Sequence, residues 1–278
     1  MTQLEEEEVP ALPSTGERMI PEASDDGTFW EHVYRYRFAV RYAPGKRVLD
    51  IACGEGYGSS ALLKAGALSL IGVDVSPETC EHARRKYGVD ARVGDAQDIP
   101  LPDDSVDLVV SFETIEHIPE PARFIDECAR VLAPGGIFVV STPNRDIYRE
   151  LTPAGSNPYH CSEMDLREFE SFLKPRFRNW SIYIQAPKWA RWYSPVGLTL
   201  DRWYWWKVGG VGRLKWRAHE AFGGKARRGP TAEQRLAPQG LILGDGPPMG
   251  WLFNPFAVRP RSRMGGEDPL YLLAVAHV

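Results

Sequence analysis

Short runs of continuous apolar residues alternate with amphipathic stretches over much of the chain. Arg47–Ala52, Leu68–Val73, Val89–Val93, Val106–Phe112, Ile137–Ser141 and Phe177–Gln185 read as six strands. Helices are expected between them over Ser59–Ala65, from Pro77 onward, over Pro121–Leu132 and over Glu163–Leu173. Ser76-Pro77-Glu78-Thr79 opens the second of these, with serine as N-cap and proline at the first helical position. Pro134-Gly135-Gly136 is expected to turn the chain. Ahead of the first strand, Phe29, Trp30, Val33, Tyr34 and Phe38 recur at helical spacing, which predicts an amphipathic helix from Phe29 to Tyr42 ended by Pro44-Gly45. Strands this apolar need cover on both faces, so the fold class is α/β with a mostly parallel sheet. Leu270–Val278 reads as one more strand, lying beside the sixth.

This pattern divides the chain into four parts. Residues 1–28, polar and rich in Pro, Ser, Thr and Glu, are expected to be a mobile N-terminal arm. Residues 29–185 form the core with its cover helix, and 270–278 the last core strand. Between them, 186–269 is an insertion folded over one end of the sheet. Seven of the nine tryptophans cluster between Trp180 and Trp216: Trp180, Trp189, Trp192, Trp203, Trp205, Trp206 and Trp216. From Arg202 to Pro230 there are eight Lys/Arg residues against the single acid Glu220. Three readings stay open for this segment. It is a small packed lid, or a sugar- or nucleotide-diphosphate-binding surface using Arg202, Lys207, Arg213, Lys215 and Arg217, or, least favoured, a membrane-interface patch.

Composition narrows the class further. With 43% hydrophobic and 25% charged residues in 278, the chain can build a sizeable core, as one large domain or one domain with an appendage. A net charge of −4 argues against a surface built for nucleic acid. Cys53, Cys80, Cys128 and Cys161 lie far apart with no CxxC pair, so small buried thiols in a reducing compartment are expected, and no metal site. The acidic run Glu5–Glu8 is unlike a secretory leader and there is no long uncharged apolar stretch, so the expected location is cytoplasmic.

The most informative segment is Val48-Leu49-Asp50-Ile51-Ala52-Cys53-Gly54-Glu55-Gly56-Tyr57-Gly58-Ser59, a strand entering three alternate glycines and then a helix. Glycine lets backbone approach a ligand and adopt dihedrals barred to other residues, and such a turn sits at the carboxyl edge of a doubly wound sheet. The G-x-G-x-G spacing departs from the dinucleotide G-x-G-x-x-G. Asp74 ends the second strand, where it can accept from ribose hydroxyls, and Asp95 follows the third, where it can take an adenine amine. A bare glycine triplet also fits an ordinary tight turn, and each acid alone fits a strand-end cap. Together they describe a nucleoside pocket.

Here the sequence resembles the class I S-adenosylmethionine-dependent methyltransferases. The matching stretches are VLDIACGEGYGS, GVDVSPE, GDAQDIPLPDDSVDLVVSFETIEHI and RVLAPGGIFVVSTPN, in order, within roughly Lys46 to Gln185. The resemblance implies a Rossmann-like seven-stranded sheet, helices on both faces, whose last strand is antiparallel and inserted beside the sixth. It implies S-adenosylmethionine as cofactor and S-adenosylhomocysteine as product. Asp50 and the glycine loop would hold the methionine moiety, Asp74 the ribose, and Asp95-Ala96 the adenine. Ala52, Gly54, Gly56, Gly58, Val75 and Phe112 complete the implied cofactor-binding set. Thr15–Glu22, the Phe112–His117 stretch and Asn157-Pro158-Tyr159-His160 resemble, more weakly, a subgroup associated with sugar and polysaccharide biosynthesis.

A hydroxyl acceptor needs activation, and histidine is the commonest base. His117 follows the fourth strand and His160 the fifth, both at the carboxyl edge, so they are the candidate catalytic residues. Phe112-Glu113-Thr114-Ile115 stands where base-methylating enzymes typically carry Asn/Asp-Pro-Pro-Tyr/Phe, which argues against nucleic acid as acceptor. The expected partner is a small-molecule acceptor such as a nucleotide-sugar or glycoside, with a homodimer left open. The leading expectation is O-methylation of a sugar or glycosylated metabolite. An aromatic or quinone O-methyltransferase, and a non-catalytic S-adenosylmethionine-binding protein, are the alternatives.

Overall fold

The strand Arg47–Ile51 (β1) lies at the centre of the molecule, buried from Val48 onward. Side chains alternate across a strand, and here the two sets enter two separate cores. Val48 packs with Val33, Tyr36 and Phe38 of the first helix (α1, Asp26–Ala39) and with Ala61 and Leu62 of α2 (Tyr57–Lys64). Leu49 and Ile51 face the other way, towards Phe124, Ile125 and Cys128 of α4 (Pro121–Val131) and Phe169 and Leu173 of α6 (Leu166–Leu173). Between these comes α3 (Pro77–Tyr87), whose Cys80 and Ala83 join the first core. Helices thus cover both faces, as the unbroken apolar strands require. These positions belong to a computed structural model describing residues 12, 19–20, 26–151, 157–187, 258–261 and 269–278.

The remaining strands are β2 (Ser69–Asp74), β3 (Asp90–Val93), β4 (Val106–Phe112), β5 (Leu132–Pro143), β6 (Asn179–Pro187), β7 (Arg259–Pro260) and β8 (Pro269–His277). Their order across the sheet is β3-β2-β1-β4-β5-β8-β6-β7. The first five pair in parallel. The terminal strand β8 runs antiparallel between β5 and β6, with Val139 opposite Val275 and Ile182 opposite Ala274. This is the seven-stranded Rossmann-like sheet with an inserted antiparallel last strand. The two-residue β7 adds an eighth strand at the β6 edge, inside the segment expected to be insertion.

Local differences have local causes. The turn expected at Pro134-Gly135-Gly136 lies within β5, which is already paired at Leu132↔Val106 and then shifts register before Leu108↔Ile137. Four residues, Ala133–Gly136, stand opposite the single Asp107, so the Pro-Gly-Gly sequence makes a local excursion, with Gly135 at positive φ, before pairing resumes. The helix α5 (Arg145–Leu151) was not anticipated. The cover helix begins at Asp26 and passes into a single 3-10 turn at Val40–Tyr42. α3 carries its expected cap, with Ser76 Oγ accepting from the Thr79 N–H at 3.2 Å. α6 starts at Leu166, three residues beyond the expected Glu163, and its cap is Asp165 in a reciprocal box with Glu168. Three cysteines are buried thiols, whereas Cys161 is exposed, contrary to expectation.

Within the arm, Leu12, Met19 and Ile20 are buried, and Met19 joins the core beside Tyr36. The rest of 1–25 lies outside the described residues. So does most of the insertion, including Trp189, Trp192, Trp203, Trp205, Trp206, Trp216 and the basic residues from Arg202 to Arg217. Among the described residues, no helix is long and apolar enough to cross a membrane.

Candidate active site

The carboxyl ends of β1, β2 and β3 lie side by side, which brings the three expected acids to one rim. They occupy very different environments. Asp50, on the α1-facing side of β1, is fully buried. Its carboxylate accepts from Tyr36 Oη at 3.1 and 3.2 Å and from Ser59 Oγ at 2.5 Å. Burial pushes its pKa up to about 7; the Ser59 and Tyr36 hydrogen bonds oppose that rise and the nearby Asp74 charge adds to it. Asp74 sits half-buried at the end of β2 and organises the loop, accepting from the Gly54 N–H at 3.0 Å and the Ser76 N–H at 2.9 Å. Asp95 is exposed and caps its own turn through the Gln97 N–H at 2.8 Å.

The glycine bend is shaped by two contacts. Ala52, Gly54 and Gly56 all take positive φ, and a Cβ on Gly54 would meet nothing within 4 Å, so the loop presents bare backbone to open space. Gly58 is needed for the opposite reason: a Cβ there would fall 2.0 Å from the Tyr36 ring. Next to the loop, Val75 is 75% exposed although apolar, a surface suited to lie against a flat ring. Phe112, at the end of β4, meets the Tyr36 ring edge-on at 5.0 Å.

Sequence reasoning passed over Glu55. Its side chain is fully buried inside the loop, 2.9 Å from His82 Nε2 and 3.1 Å from Lys86 Nζ, both on α3. This pair of contacts ties the loop to the helix behind it. The signal available was an acid within the glycine run and a His and a Lys one turn apart on α3, the second helix after it.

A second polar group lies further along the same rim, after β4 and β5. Glu113 takes a positive φ of 51°, uncommon for a side-chain-bearing residue. Its Oε1 accepts from Ser141 Oγ at 2.7 Å, and its Oε2 lies 3.7 Å from Arg35 Nη2. Arg35 comes from α1, is fully buried, stacks over the Tyr271 ring at 4.2 Å, and makes no hydrogen bond among the described residues. Burial works against its charge, but Glu113, Tyr271, Glu31 and Glu116 together outweigh it and hold the guanidinium protonated.

Glu116 and His117 lie in the single 3-10 turn Ile115–His117. Glu116 is 1% exposed; Thr142 Oγ1 donates to its Oε2 at 3.2 Å, and its Oε1 has no hydrogen-bond partner among the described residues. Burial, with the Glu113 charge, raises its pKa well above the usual carboxylate range. The loop after β5 is fastened here, because the Cys161 and Ser162 N–H groups both donate to the Glu116 carbonyl at 2.9 Å. That places His160 against His117, ring centroids 4.9 Å apart, with Tyr148 at 5.3 Å on its other side. His117 Nδ1 lies 3.1 Å from the Tyr159 carbonyl, and His160 Nδ1 3.1 Å from Glu163 Oε1. One ligand-capable atom each from Glu116, His117 and His160 falls within 4.8 Å of the others. The sequence showed no ligand cluster; folding assembles one.

This fold, with acids at three successive strand ends and a bare-backbone bend beneath them, defines a nucleoside-cofactor protein. A family model described as a methyltransferase domain matches residues 49–140, from β1 into β5. A probable S-adenosylmethionine-dependent methyltransferase of Mycolicibacterium smegmatis is 42% identical over 167 residues, covering 59% of this chain and 64% of that protein. A ubiquinone biosynthesis O-methyltransferase of Xanthomonas campestris is 39% identical over 59% of this chain and 67% of its own length. A solved Thermotoga maritima methyltransferase, described as a possible histamine N-methyltransferase, shares the fold with a TM-score of 0.52 at 18% identity, covering 89% of this chain and 92% of that one. The chain belongs to the class I S-adenosylmethionine-dependent methyltransferases, and S-adenosylmethionine is that family's cofactor.

Proposed function

We propose that this protein transfers the methyl group of S-adenosylmethionine to a hydroxyl of a small polar acceptor, a sugar or glycosylated metabolite. The observation that carries this reading is the polar lining of the rim beside the cofactor cradle. Glu113, His117, Tyr148 and His160 offer hydrogen-bonding groups suited to a polyol, where a purely aromatic acceptor would favour apolar walls. In the same reading, the Gly54–Gly58 loop beside Asp50 holds the methionine portion. Asp74 takes the ribose hydroxyls, Val75 lies against the adenine, and Asp95-Ala96 meets its edge.

Methyl transfer from a sulfonium is an in-line displacement. The protein must align oxygen, carbon and sulfur and keep water out, which can supply roughly 7–11 kcal/mol of the barrier at best. The acceptor oxygen also has to lose its proton, and that activation is assigned to the Glu116–His117–His160 group. A second reading, an aromatic or quinone acceptor, is favoured by the Xanthomonas campestris relative.

The test is direct. Incubating the protein with labelled S-adenosylmethionine and a panel of nucleotide-sugars, glycosides and catechols should give a methylated polyol, identified by mass spectrometry. A methylated catechol alone would select the second reading. No S-adenosylhomocysteine from any acceptor, with S-adenosylhomocysteine still bound in calorimetry, would leave a binding protein. Asp74→Ala should weaken cofactor affinity at least tenfold; unchanged affinity would overturn the ribose assignment.

A further inference from the structure

We infer that Glu116, His117 and His160 form a binding site for a divalent first-row cation, with open positions facing the acceptor. The inference rests on the methyltransferase reading for its catalytic consequence, but not for the binding itself.

Three observations point to a cation. The first is the donor set, two imidazoles and one carboxylate, which is that of catalytic sites keeping positions open for water or substrate. Their ligand-capable atoms lie within 4.8 Å of one another. Ligands around one ion at about 2.0–2.2 Å stand roughly 3–3.5 Å apart. A closing shift of about an ångström therefore brings them to a common centre.

The second is how the histidines are held. Each presents its Nδ1 to an acceptor, the Tyr159 carbonyl for His117 and the Glu163 carboxylate for His160, both at 3.1 Å. An imidazole that donates from Nδ1 carries its lone pair on Nε2. Metal-binding histidines are oriented in this way, by a carbonyl or carboxylate on the far nitrogen. His160 is further braced by the Tyr148 ring, and its partner Glu163 by Arg149 at 2.9 Å.

The third is Glu116 Oε1, a deeply buried carboxyl oxygen without a hydrogen-bond partner among the described residues. An unmatched buried carboxyl oxygen is costly whether or not the group is ionised. Glu113 does not relieve it, being already engaged with Ser141 and Arg35, and is itself negative. Arg35 contributes positive charge from behind without bonding to Glu116. A cation held jointly with His117 and His160 satisfies the orphaned oxygen.

The site's position gives it a task. β4 pairs directly with β1, with Val110 opposite Asp50, so the cluster beyond Phe112 lies one or two strand spacings, about 5–10 Å, from the cofactor cradle. An acceptor hydroxyl bound to the cation through its oxygen loses its proton to solvent, as metal-bound water does near pH 7. A lone pair on that oxygen forms the C–O bond as the methyl–sulfur bond breaks. The electrons of that bond return to sulfur, leaving a methyl ether and S-adenosylhomocysteine.

The full chain, stripped with chelator and desalted, is titrated with Mn2+ by following the free-ion electron paramagnetic resonance signal, and with Co2+ by visible absorption. S-adenosylhomocysteine affinity is measured on the same samples by calorimetry. The expected result is saturable uptake of one ion per chain, weakened at least tenfold in Glu116→Gln and His160→Ala with S-adenosylhomocysteine affinity within twofold of wild type. Should His160→Ala fail to fold, Glu163→Gln tests the same geometry, with metal affinity lower by about 10- to 100-fold. Absence of saturable uptake, or uptake equal in the variants and the wild type, overturns the site. Loss of S-adenosylhomocysteine binding in the wild-type chain would instead strike the cofactor reading, and the two failures are read separately.

Discussion

The phenol of Tyr36 donates to both carboxylate oxygens of Asp50, at 3.1 and 3.2 Å. One partner comes from the helix preceding the sheet and the other from β1, so the cover helix and the carboxyl rim of the sheet are tied together by hydrogen bonds. Tyr36 also meets Tyr57 and Phe112 edge-on, at 5.5 and 5.0 Å. Tyr36→Phe keeps those ring contacts and leaves Asp50 with Ser59 alone. The expected loss is about 1–3 kcal/mol, the cost of stripping a partner from a buried polar group, read as a lower denaturation midpoint. Cofactor affinity should fall with it; a variant as stable as wild type would show that the phenol carries no weight.

Gly58 tests how tightly that unit is packed. A methyl group there would overlap the Tyr36 ring at 2.0 Å, and the ring has little room because its own position is buried. Gly58→Ala should destabilise by roughly 1–3 kcal/mol through overpacking. Pairing it with Tyr36→Leu, which removes the clashing ring, should recover part of that loss. Additive effects in the double-mutant cycle would mean the two sites do not touch.

Glu55 should matter more than an acid in a loop usually does. Its buried carboxylate lies between His82 and Lys86 of α3 at 2.9 and 3.1 Å. Glu55→Leu would remove this buried carboxylate from between them and loosen the loop from the helix. Breaking a buried pair on one side costs about 3–5 kcal/mol; Lys86 is 23% exposed, which lowers the expectation towards the small end. Thermal melts and S-adenosylhomocysteine calorimetry should both register the change, and wild-type values in both would sink this role.

What could be read in advance follows a physical divide. Most of the parallel strands were legible as near-continuous apolar runs, such as Val106–Phe112, though β3 (Asp-Ala-Arg-Val) is not one, and the β8 insertion because its run stands apart from the others. The helix Arg145–Leu151 was not, since Arg-Asp-Ile-Tyr-Arg-Glu-Leu has little apolar periodicity; its order comes from tertiary contacts such as Arg149 to Glu163. Arg35 and Glu55 look like surface charges in sequence, because burial of a charge depends on partners brought from elsewhere. For the same reason the acid Asp50 could be placed at the rim but not its enclosure by Tyr36. His117 and His160 were identified singly. Their meeting depends on the Cys161 and Ser162 amides bonding to the Glu116 carbonyl, which no local pattern announces.

The enclosure of Asp50 has a consequence for pH. An exposed aspartate titrates near 3.8, whereas burial raises this one to about 7 against the pull of Ser59 and Tyr36. Between those two values the unfolded chain has released the proton and the folded chain retains it. Stability therefore falls as pH rises from about 4 to about 7 and is level above that. The full difference corresponds to at most about 4 kcal/mol at 1.36 kcal/mol per unit. Asp50→Asn keeps the shape and removes the titration, so the gap between wild type and variant should shift against wild type across this window. In the binding mode proposed above, S-adenosylmethionine would bring a positive sulfonium and ammonium to the same loop, which favours the ionised carboxylate. Its binding should release a proton below pH 7, seen as a heat that varies with buffer ionisation enthalpy. It should also tighten by up to tenfold per unit as pH rises towards 7. Equal heats in two such buffers, together with a pH-independent difference between wild type and Asp50→Asn, would show that Asp50 is ionised throughout and that its burial does not govern cofactor capture.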